Sequence, residues 1–227
     1  MISLRLTPRL EKVAGLVSGQ VLADIGTDHG KLPAFLIMEG RISHAIACDV
    51  RPGPLKACQR TAKQFGLEDA FAFRLGDGLE PLKPGEADSI VIAGMGGELI
   101  KQILNKQDAV AKAASEIILQ PMTSLPEVRR FAVESGYTIS EEVLAKEGRK
   151  LYSVIKLIPV PSEDPGRFYD LIPKILIDRQ DPNLPLLIDR EAKRLEKQIA
   201  GLKHAHNSQP DQIAELESLL QKVRNVG

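Results

Sequence analysis

The stretch DIGTDHG (Asp24–Gly30) decides the fold class of this 227-residue chain. It follows a short, mostly apolar run at 20–25 and precedes a helical pattern at 31–39. A strand, a glycine-bearing turn and a helix in this order open a Rossmann-like α/β fold, whose ligands bind beyond the carboxyl ends of parallel strands. Glycine lets the backbone turn tightly and approach a ligand there. The stretch therefore predicts a ligand-binding loop at the end of the first strand.

The same alternation continues to about residue 158 and predicts a parallel sheet covered by helices on both faces. Two further strand patterns, at 137–144 and 150–157, follow each other without a helix and predict an antiparallel pair at the sheet edge. The other predicted strands are 44–50, 70–75, 88–93 and 116–119, and the other predicted helices are 8–17, 53–65, 97–106 and 124–135.

The composition changes at a proline-rich segment that begins at Pro159. Beyond it, apolar residues recur at helical spacing over 188–202 and again over 213–223, with a polar loop at 204–211 between them. This pattern predicts a coiled-coil-like helical hairpin. We therefore expect two domains, 1–158 and 159–227. The charged hairpin is either a solvated face or a surface for RNA or a protein partner.

Composition limits the class of protein. Apolar residues make up 43% of the chain, and no run approaches the roughly 20 apolar residues of a membrane span. The N-terminus lacks the apolar core of a secretory signal, and Cys48 and Cys58 form neither a disulfide framework nor a metal-ligand cluster. We expect a cytoplasmic protein with no membrane segment and no metal. Thirty basic and thirty acidic side chains cancel, which argues mildly against a nucleic-acid binder without excluding one.

The DIGTDHG loop departs from the dinucleotide pattern G-x-G-x-x-G, because Asp28 stands two residues after Gly26. A carboxylate at this position would repel a pyrophosphate, which disfavours a nicotinamide or flavin cofactor. It suits S-adenosylmethionine, whose sulfonium and amino group are both positive. The carboxylate of that cofactor can meet backbone N–H groups at the start of the following helix.

Two further acids end the next predicted strands. Asp49 lies where an acid accepts hydrogen bonds from ribose hydroxyls, and Asp77 lies where an acid can reach an adenine amino group. Each acid alone is typical of a turn or a helix cap. Their conjunction indicates a ligand that contains a nucleoside. The predicted cofactor-binding residues are Asp24, Gly26, Thr27, Gly30, Asp49, Gly76, Asp77, Gly78 and Gly94.

Together these motifs resemble the bacterial tRNA (adenine-22-N1) methyltransferase family. The resemblance rests on DIGTDHG, on the acidic end of HAIACDV (44–50), and on LGDGL (75–79), AGMGG (93–97) and ILQP (118–121). The segment SLRLTPRL (3–10) and the helical hairpin fit as well, so the similarity spans nearly the whole chain. It implies a class I methyltransferase domain, S-adenosylmethionine as cofactor, tRNA as partner, and methyl transfer to N1 of an adenine in the D-arm. For the hairpin it implies tRNA binding.

The AGMGG turn bears on which atom is methylated. Many enzymes that methylate exocyclic amines carry Asn/Asp-Pro-Pro-aromatic at this place, and this chain has neither the proline nor the aromatic residue. Adenine N1 has an exposed lone pair and needs no deprotonation, so placement supplies much of the rate. A carboxylate would stabilise the cation that forms. Asp28 and then His29 are the catalytic candidates, although Asp28 could instead bind the cofactor ammonium and His29 could cap a helix.

Contacts to the RNA are expected from shape and phosphate recognition, because aromatic residues make up only 4% of the chain. Alternatives remain open: another RNA site, a small-molecule substrate, a nicotinamide-dependent oxidoreductase, or a non-catalytic adaptor that binds a protein through the hairpin. The oligomeric state is open, with a monomer the simpler expectation. The predicted substrate-binding residues are Arg5, Arg9, Met95, Gly96, Gln120 and Pro121.

Overall fold

The computed structural model describes residues 4–204 and 210–226. The chain divides into two compact units, Met1–Glu163 and Asp164–Gly227. Most of the polar loop predicted at 204–211 lies outside the described residues, as does Ser3 of the SLRLTPRL segment.

The first unit contains a seven-stranded sheet with the order β3-β2-β1-β4-β5-β7-β6. Strands β1 to β5 are parallel, which confirms the Rossmann-like class I α/β fold. β1 pairs with β2 on one side and with β4 on the other, so the strand order reverses between β1 and β4. Such a switch point opens a crevice at the carboxyl ends of the strands, where this class of fold binds ligands. The parallel strands are Val21–Ile25 (β1), His44–Asp49 (β2), Phe71–Leu75 (β3), Ser89–Met95 (β4) and Glu116–Pro121 (β5).

The predicted antiparallel pair is confirmed as β6 (Thr138–Glu147) and β7 (Lys150–Ile158). β7 lies between β5 and β6 and is antiparallel to both. β6 therefore runs in the same direction as β5. Its carboxyl end, at Glu147, lies at the same edge of the sheet as the carboxyl ends of the parallel strands.

Alternate residues of the central strands serve two hydrophobic layers. Ile90 and Ile92 of β4 pack in one apolar cluster, and Val91 between them packs in the other. Both faces of the sheet are thus covered, as the apolar strands predicted. The α5 helix was not anticipated from the pattern. The helices of this unit are Pro8–Leu16 (α1), Lys31–Met38 (α2), Pro52–Phe65 (α3), Gly97–Lys106 (α4), Asp108–Ala113 (α5) and Leu125–Glu134 (α6).

The second unit is helical. Two short helices, Arg167–Leu171 (α7) and Lys174–Asp178 (α8), lie between the proline-rich segment and the predicted hairpin, where no helix was predicted. Leu184–His204 (α9) and Pro210–Arg224 (α10) then form the helix pair that the apolar spacing predicted. Within residues 4–204 and 210–226, no helix is long and apolar enough to cross a membrane.

Candidate functional site

Two adjoining cavities open at the carboxyl edge of the sheet. Cavity A, of about 320 Å³, lies over the ends of β2, β3 and β4, and cavity B, of about 390 Å³, lies between the DIGTDHG loop and the start of α1. Gly26, Ala93 and Gly94 line both, so the ends of β1 and β4 form the shared wall. Cavity A is also lined by Cys48, Asp49, Val50, Arg51, Gly76, Asp77, Gly78, Met95, Leu99 and Ile103, and cavity B by Arg5, Arg9, Asp24, Thr27, Asp28, His29, Gly30, Lys31 and Leu32.

The shared wall depends on two glycines with positive φ. Gly26 has φ +74° and Gly94 has φ +77°, a region that L side chains rarely adopt. A Cβ on Gly26 would lie 2.2 Å from Cε of Met95. The loop is also held to the neighbouring strand, since the N–H groups of Gly26 and Thr27 both donate to the carbonyl of Cys48, at 2.8 and 3.0 Å. The two glycines therefore bring main chain to the surface of both cavities.

Asp24 is a buried carboxyl in the wall of cavity B, only 9% exposed. Burial raises its pKa from 3.8 to about 6, the Asp49 charge adds to the rise, and a hydrogen bond from Thr27 opposes it. Because burial disfavours the ionised carboxylate, a cation that enters the cavity would stabilise it. Asp24 is thus suited to an ammonium group.

The two other predicted acids occupy different environments. Asp49 is buried in cavity A, and its Oδ1 accepts the Arg51 N–H at 2.7 Å. Asp77 is exposed, and its Oδ2 lies 3.1 Å from Nζ of Lys106. Lys106 also pairs with Glu80 at 2.7 Å, so Asp77 belongs to a surface ion-pair cluster as well as to the cavity wall.

Sequence reasoning missed the two exposed apolar residues Val50 and Leu99 of cavity A. Val50 is 62% exposed and Leu99 is 46% exposed, although both have large apolar side chains. An apolar surface open to solvent inside a cavity suits a flat aromatic ring. The available signal for Val50 was its place directly after Asp49; the α4 pattern gave none for Leu99.

Asp28 and His29 lie at the mouth of cavity B. Oδ2 of Asp28 is 3.4 Å from Nε2 of His29, and both side chains are largely exposed. The structure thus brings the two exposed catalytic candidates together in the cavity that the buried Asp24 also lines. They are open to a substrate that arrives from solution.

Arg9 and Gln120, both predicted to bind the substrate, are joined by a hydrogen bond inside the protein. Gln120 is fully buried; its Oε1 accepts the Gly94 N–H at 3.1 Å, and its Nε2 donates to the Pro121 carbonyl at 3.1 Å. Nη1 of Arg9 donates to the same Oε1. The Gln120 amide is thus hydrogen-bonded within the protein and holds Gly94 of the shared wall in place. Gln120 lines neither cavity.

Other contacts hold Arg9 in place. Its main-chain N–H donates to Oε1 of Glu147 at 2.8 Å, and its guanidinium lies 5.4 Å from the centre of the Tyr152 ring. Arg9 lines cavity B beside the start of α2. Arg9, which we predicted to contact the RNA, is thus a partly buried cation inside cavity B.

The remaining predicted substrate residues are divided. Met95 lines cavity A and Arg5 lines cavity B, where Arg5 is exposed. Gly96 precedes α4, and Pro121 pairs with Met95 in the sheet. Neither Gly96 nor Pro121 lines either of these two cavities.

Neither a reactive cysteine nor a metal site is found among the described residues. Burial raises the pKa of Cys48 and of Cys58 to about 12, so both remain thiols at neutral pH. Among the described residues, no group of three or more His, Cys, Asp or Glu side chains could hold a metal ion.

Known proteins similar to this chain in sequence or in structure are methyltransferases. The family described as a methyltransferase domain matches residues 6–155. The tRNA (adenine(22)-N(1))-methyltransferase of Bacillus subtilis is 38% identical over 156 residues, which cover 68% of this chain and 66% of that relative. A crystal structure of the B. subtilis m1A22 tRNA methyltransferase TrmK superposes with a TM-score of 0.86 at 29% identity, covering 97% of this chain and 99% of the other. The M. capricolum TrmK structure, in complex with S-adenosylhomocysteine, gives a TM-score of 0.76 at 26% identity, with 96% of each chain covered.

Proposed function

Because this chain belongs to the family of bacterial tRNA (adenine-22-N1) methyltransferases, we propose that it transfers a methyl group from S-adenosylmethionine to N1 of adenine 22 in tRNA. The observation that carries the proposal is the pair of buried carboxyls, Asp24 and Asp49, on either side of the wall formed by Gly26 and Gly94. Such a crevice, at the switch point of the sheet, fits a ligand with a nucleoside at one end and a charged tail at the other.

The residues present fit the cofactor in two halves. In cavity A, Asp49 would hold the ribose hydroxyls, and Val50 and Leu99 would cover the faces of the purine. In cavity B, the buried Asp24 carboxylate would pair with the ammonium of the tail. A Cβ at Gly26 would collide with Cε of Met95, so glycine keeps the wall between the two halves thin at this position.

Arg9 would hold the carboxylate of the same tail. It is the partly buried cation of cavity B, which Lys31 and Leu32 at the start of α2 also line. Main-chain N–H groups at a helix N-terminus have no intrahelical partner and attract an anion. Cavity B thus contains both an acid and a base for a zwitterionic tail.

When bound, the cofactor supplies an electrophilic methyl group on a sulfonium. The chain's own residues would place the target adenine of the tRNA over the shared wall and exclude water from the space between them. N1 would use its lone pair to form the bond to the methyl carbon as the methyl–sulfur bond breaks and S-adenosylhomocysteine leaves. The positive charge would move to the base, so a carboxylate nearby would lower the barrier. We assign that role to Asp28, which is free to approach an incoming base from the rim of cavity B. His29 would orient the Asp28 carboxylate from 3.4 Å.

Labelled methyl transfer to unmodified tRNA, followed by nucleoside analysis, tests the proposal. We expect N1-methyladenosine at position 22, and no label in a transcript in which that adenine is replaced by guanine. Label in any other nucleoside would refute the specific assignment. A lack of transfer to tRNA, despite measurable S-adenosylhomocysteine binding, would point instead to a small-molecule substrate.

A further inference from the structure

Gln120, at the end of β5, is a fully buried polar side chain whose amide group is saturated with contacts. Its Oε1 accepts the Gly94 N–H at 3.1 Å and also accepts a hydrogen bond from Nη1 of Arg9. Its Nε2 donates to the Pro121 carbonyl at 3.1 Å and lies 3.6 Å from Sδ of Met122. These contacts fill the donor and acceptor capacity of an amide, and a flipped amide would turn its NH₂ group towards two donors. The orientation of the side chain is therefore fixed.

The contact with Gly94 compensates for an irregularity in the sheet. The register of β4 against β5 shifts between Ala93 and Met95, so Gly94 is the extra residue of a bulge. Such a residue is left out of the strand ladder, and its N–H needs another acceptor. The Gln120 side chain supplies that acceptor, and it thereby fixes a part of β4 that lines both cavities.

Two other arginines of the first unit are held by carboxylates. Arg129 is buried, and its Nη2 lies 2.7 Å from Oε1 of Glu142. Arg74 donates to both carboxylate oxygens of Glu86, at 2.7 and 2.6 Å. In each pair the acid neutralises the guanidinium charge, so little of that charge remains for a ligand.

Arg9 is held in a different way, by a neutral partner. Its guanidinium bonds the Gln120 amide, lies 5.4 Å from the centre of the Tyr152 ring, and forms no ion pair with a described acid. Glu147 bonds the main-chain N–H of Arg9 and not the guanidinium. Nη1 is engaged by the amide and Nε is buried, which leaves Nη2 to meet a ligand. The charge of Arg9 therefore stays available to an anion in cavity B.

We infer that Gln120 is a positioning residue of the cofactor site, because its neutral amide orients the Arg9 guanidinium without neutralising it. This inference rests on the proposed function, in which Arg9 binds the carboxylate of the cofactor. The same amide oxygen holds Gly94, so it sets Arg9 at a fixed place relative to the shared wall.

The distinction between an amide and an acid at residue 120 is central to this role. A glutamate side chain has nearly the same shape and could accept the same two hydrogen bonds. Its charge would pair with Arg9, however, and would repel the carboxylate of the cofactor. The amide thus keeps cavity B able to accept an anion.

The isosteric variant Q120E in the full-length protein tests the inference by isothermal titration calorimetry. We expect its affinity for S-adenosylhomocysteine to fall by at least about thirtyfold, because the new carboxylate neutralises Arg9. Binding of 5′-methylthioadenosine should change by less than about threefold, since this ligand has no charged tail to bond with Arg9. The matched control is Q64E, which adds the same charge at an exposed position of α3 and should change either affinity by less than about twofold.

Q120M is a second variant, which removes the amide without adding a buried charge and decides the question if Q120E does not fold. Loss of the acceptor frees the Arg9 side chain to move. Affinity for S-adenosylhomocysteine should therefore fall by about three- to tenfold, and affinity for 5′-methylthioadenosine by less than about twofold.

A double-mutant cycle shows whether Gln120 acts through Arg9. In the R9Q background, Q120M should change the ratio of the two ligand affinities by less than about twofold, since no guanidinium remains to be oriented. Kinetics give an independent readout: Q120E should raise the KM for S-adenosylmethionine, while kcat at saturating cofactor stays within about threefold of wild type.

An S-adenosylhomocysteine affinity of folded Q120E within about threefold of wild type would overturn the inference. Equal losses for the two ligands would also overturn it, because they would assign Gln120 a purely structural role. So would a full effect of Q120M in the R9Q background, since Gln120 would then not act through Arg9. The proposed function fails separately, if the wild-type protein transfers no methyl group to tRNA at all.

Discussion

Nη1 of Arg9, on the first turn of α1, donates a hydrogen bond to Oε1 of Gln120 at the end of β5. Oε1 also accepts the Gly94 N–H, so one buried amide oxygen connects the helix before the sheet to the end of β4. The guanidinium is thereby held in cavity B at a fixed orientation, with the Tyr152 ring beside it.

This arrangement predicts that Arg9 recognises the carboxylate of the cofactor. Arg9→Gln should weaken S-adenosylhomocysteine binding by about tenfold or more, because a charge-assisted hydrogen bond contributes about 1.5–3 kcal/mol. Binding of 5′-methylthioadenosine, which lacks the amino-acid tail, should change by less than about twofold. Isothermal titration calorimetry measures both.

The matched control is Lys12→Gln, an exposed cation on the same helix, which should affect neither ligand. If Arg9→Gln instead left S-adenosylhomocysteine binding intact and weakened tRNA binding, Arg9 would be an RNA contact, as the sequence alone had predicted.

Asp24 should stabilise the cofactor complex while destabilising the empty protein. Its pKa is about 6 in the folded protein against an ordinary value of 3.8 in the unfolded chain, so the free energy of unfolding falls as pH rises from about 4 to about 6. Above pH 6 the cost reaches at most about 3 kcal/mol. Asp24→Asn should therefore raise the stability of the cofactor-free protein at pH 7.5 by about 1–3 kcal/mol, and it should have little effect near pH 3.5.

Chemical denaturation at the two pH values measures the effect on stability. The same variant should lose at least about tenfold in affinity for S-adenosylhomocysteine, since an amide offers the ammonium no charge. A variant that is destabilised at both pH values would show that Asp24 has a structural role instead.

Asp28→Asn separates catalysis from cofactor binding. If Asp28 stabilises the methylated base, the variant should bind S-adenosylhomocysteine within about twofold of wild type and lose roughly 10²-fold in single-turnover methyl transfer. The side chain is 80% exposed, so no large change in stability is expected. Weakened cofactor binding with normal turnover at saturation would assign Asp28 to the cofactor ammonium.

Glu116 lies at the other edge of the sheet, and its contribution to the free energy of unfolding depends on pH with the opposite sign. Burial alone would raise its pKa, but hydrogen bonds from Lys156, Ser18 and Ser89 more than offset that effect and lower the pKa from 4.5 to about 2. The resulting stability is fully present above pH 4.5 and is lost as pH falls from 4.5 towards 2.

Glu116→Gln should therefore lower the free energy of unfolding by about 2–3 kcal/mol at pH 7 and by much less near pH 2.5. Glu127→Gln, at an exposed position, should change it by about 0.5 kcal/mol or less. Equal effects of the two substitutions at pH 7 would contradict the role of the buried network.

Much of the first unit could be predicted from local pattern. The alternation of apolar and polar residues in the strands, together with the glycine turn at 26–30, was sufficient to predict a parallel sheet, because period and turn chemistry are properties of neighbouring residues. The short helices α5, α7 and α8 were missed, since each contains only five or six residues and carries too little periodicity.

The candidate site was less predictable. Asp24 and Asp49 lie where the strand ends suggested, because the carboxyl ends of parallel strands meet at one edge of the sheet. The sequence could not show that Gln120 is turned under the wall or that Asp77 pairs with Lys106. Those contacts join residues 26 and 29 positions apart, whose separation in space depends on packing.

The amino-acid sequence by itself therefore determined the fold class, the ligand loop at Asp24–Gly30 and the family, since each depends on residues close together in the chain. Only the tertiary structure decided that β7 lies between β5 and β6, which carries the β6–β7 turn to the ligand edge. The same packing placed Arg9 in cavity B beside Glu147, 138 residues away. No local pattern specifies such distances, because they arise from the order in which strands join the sheet.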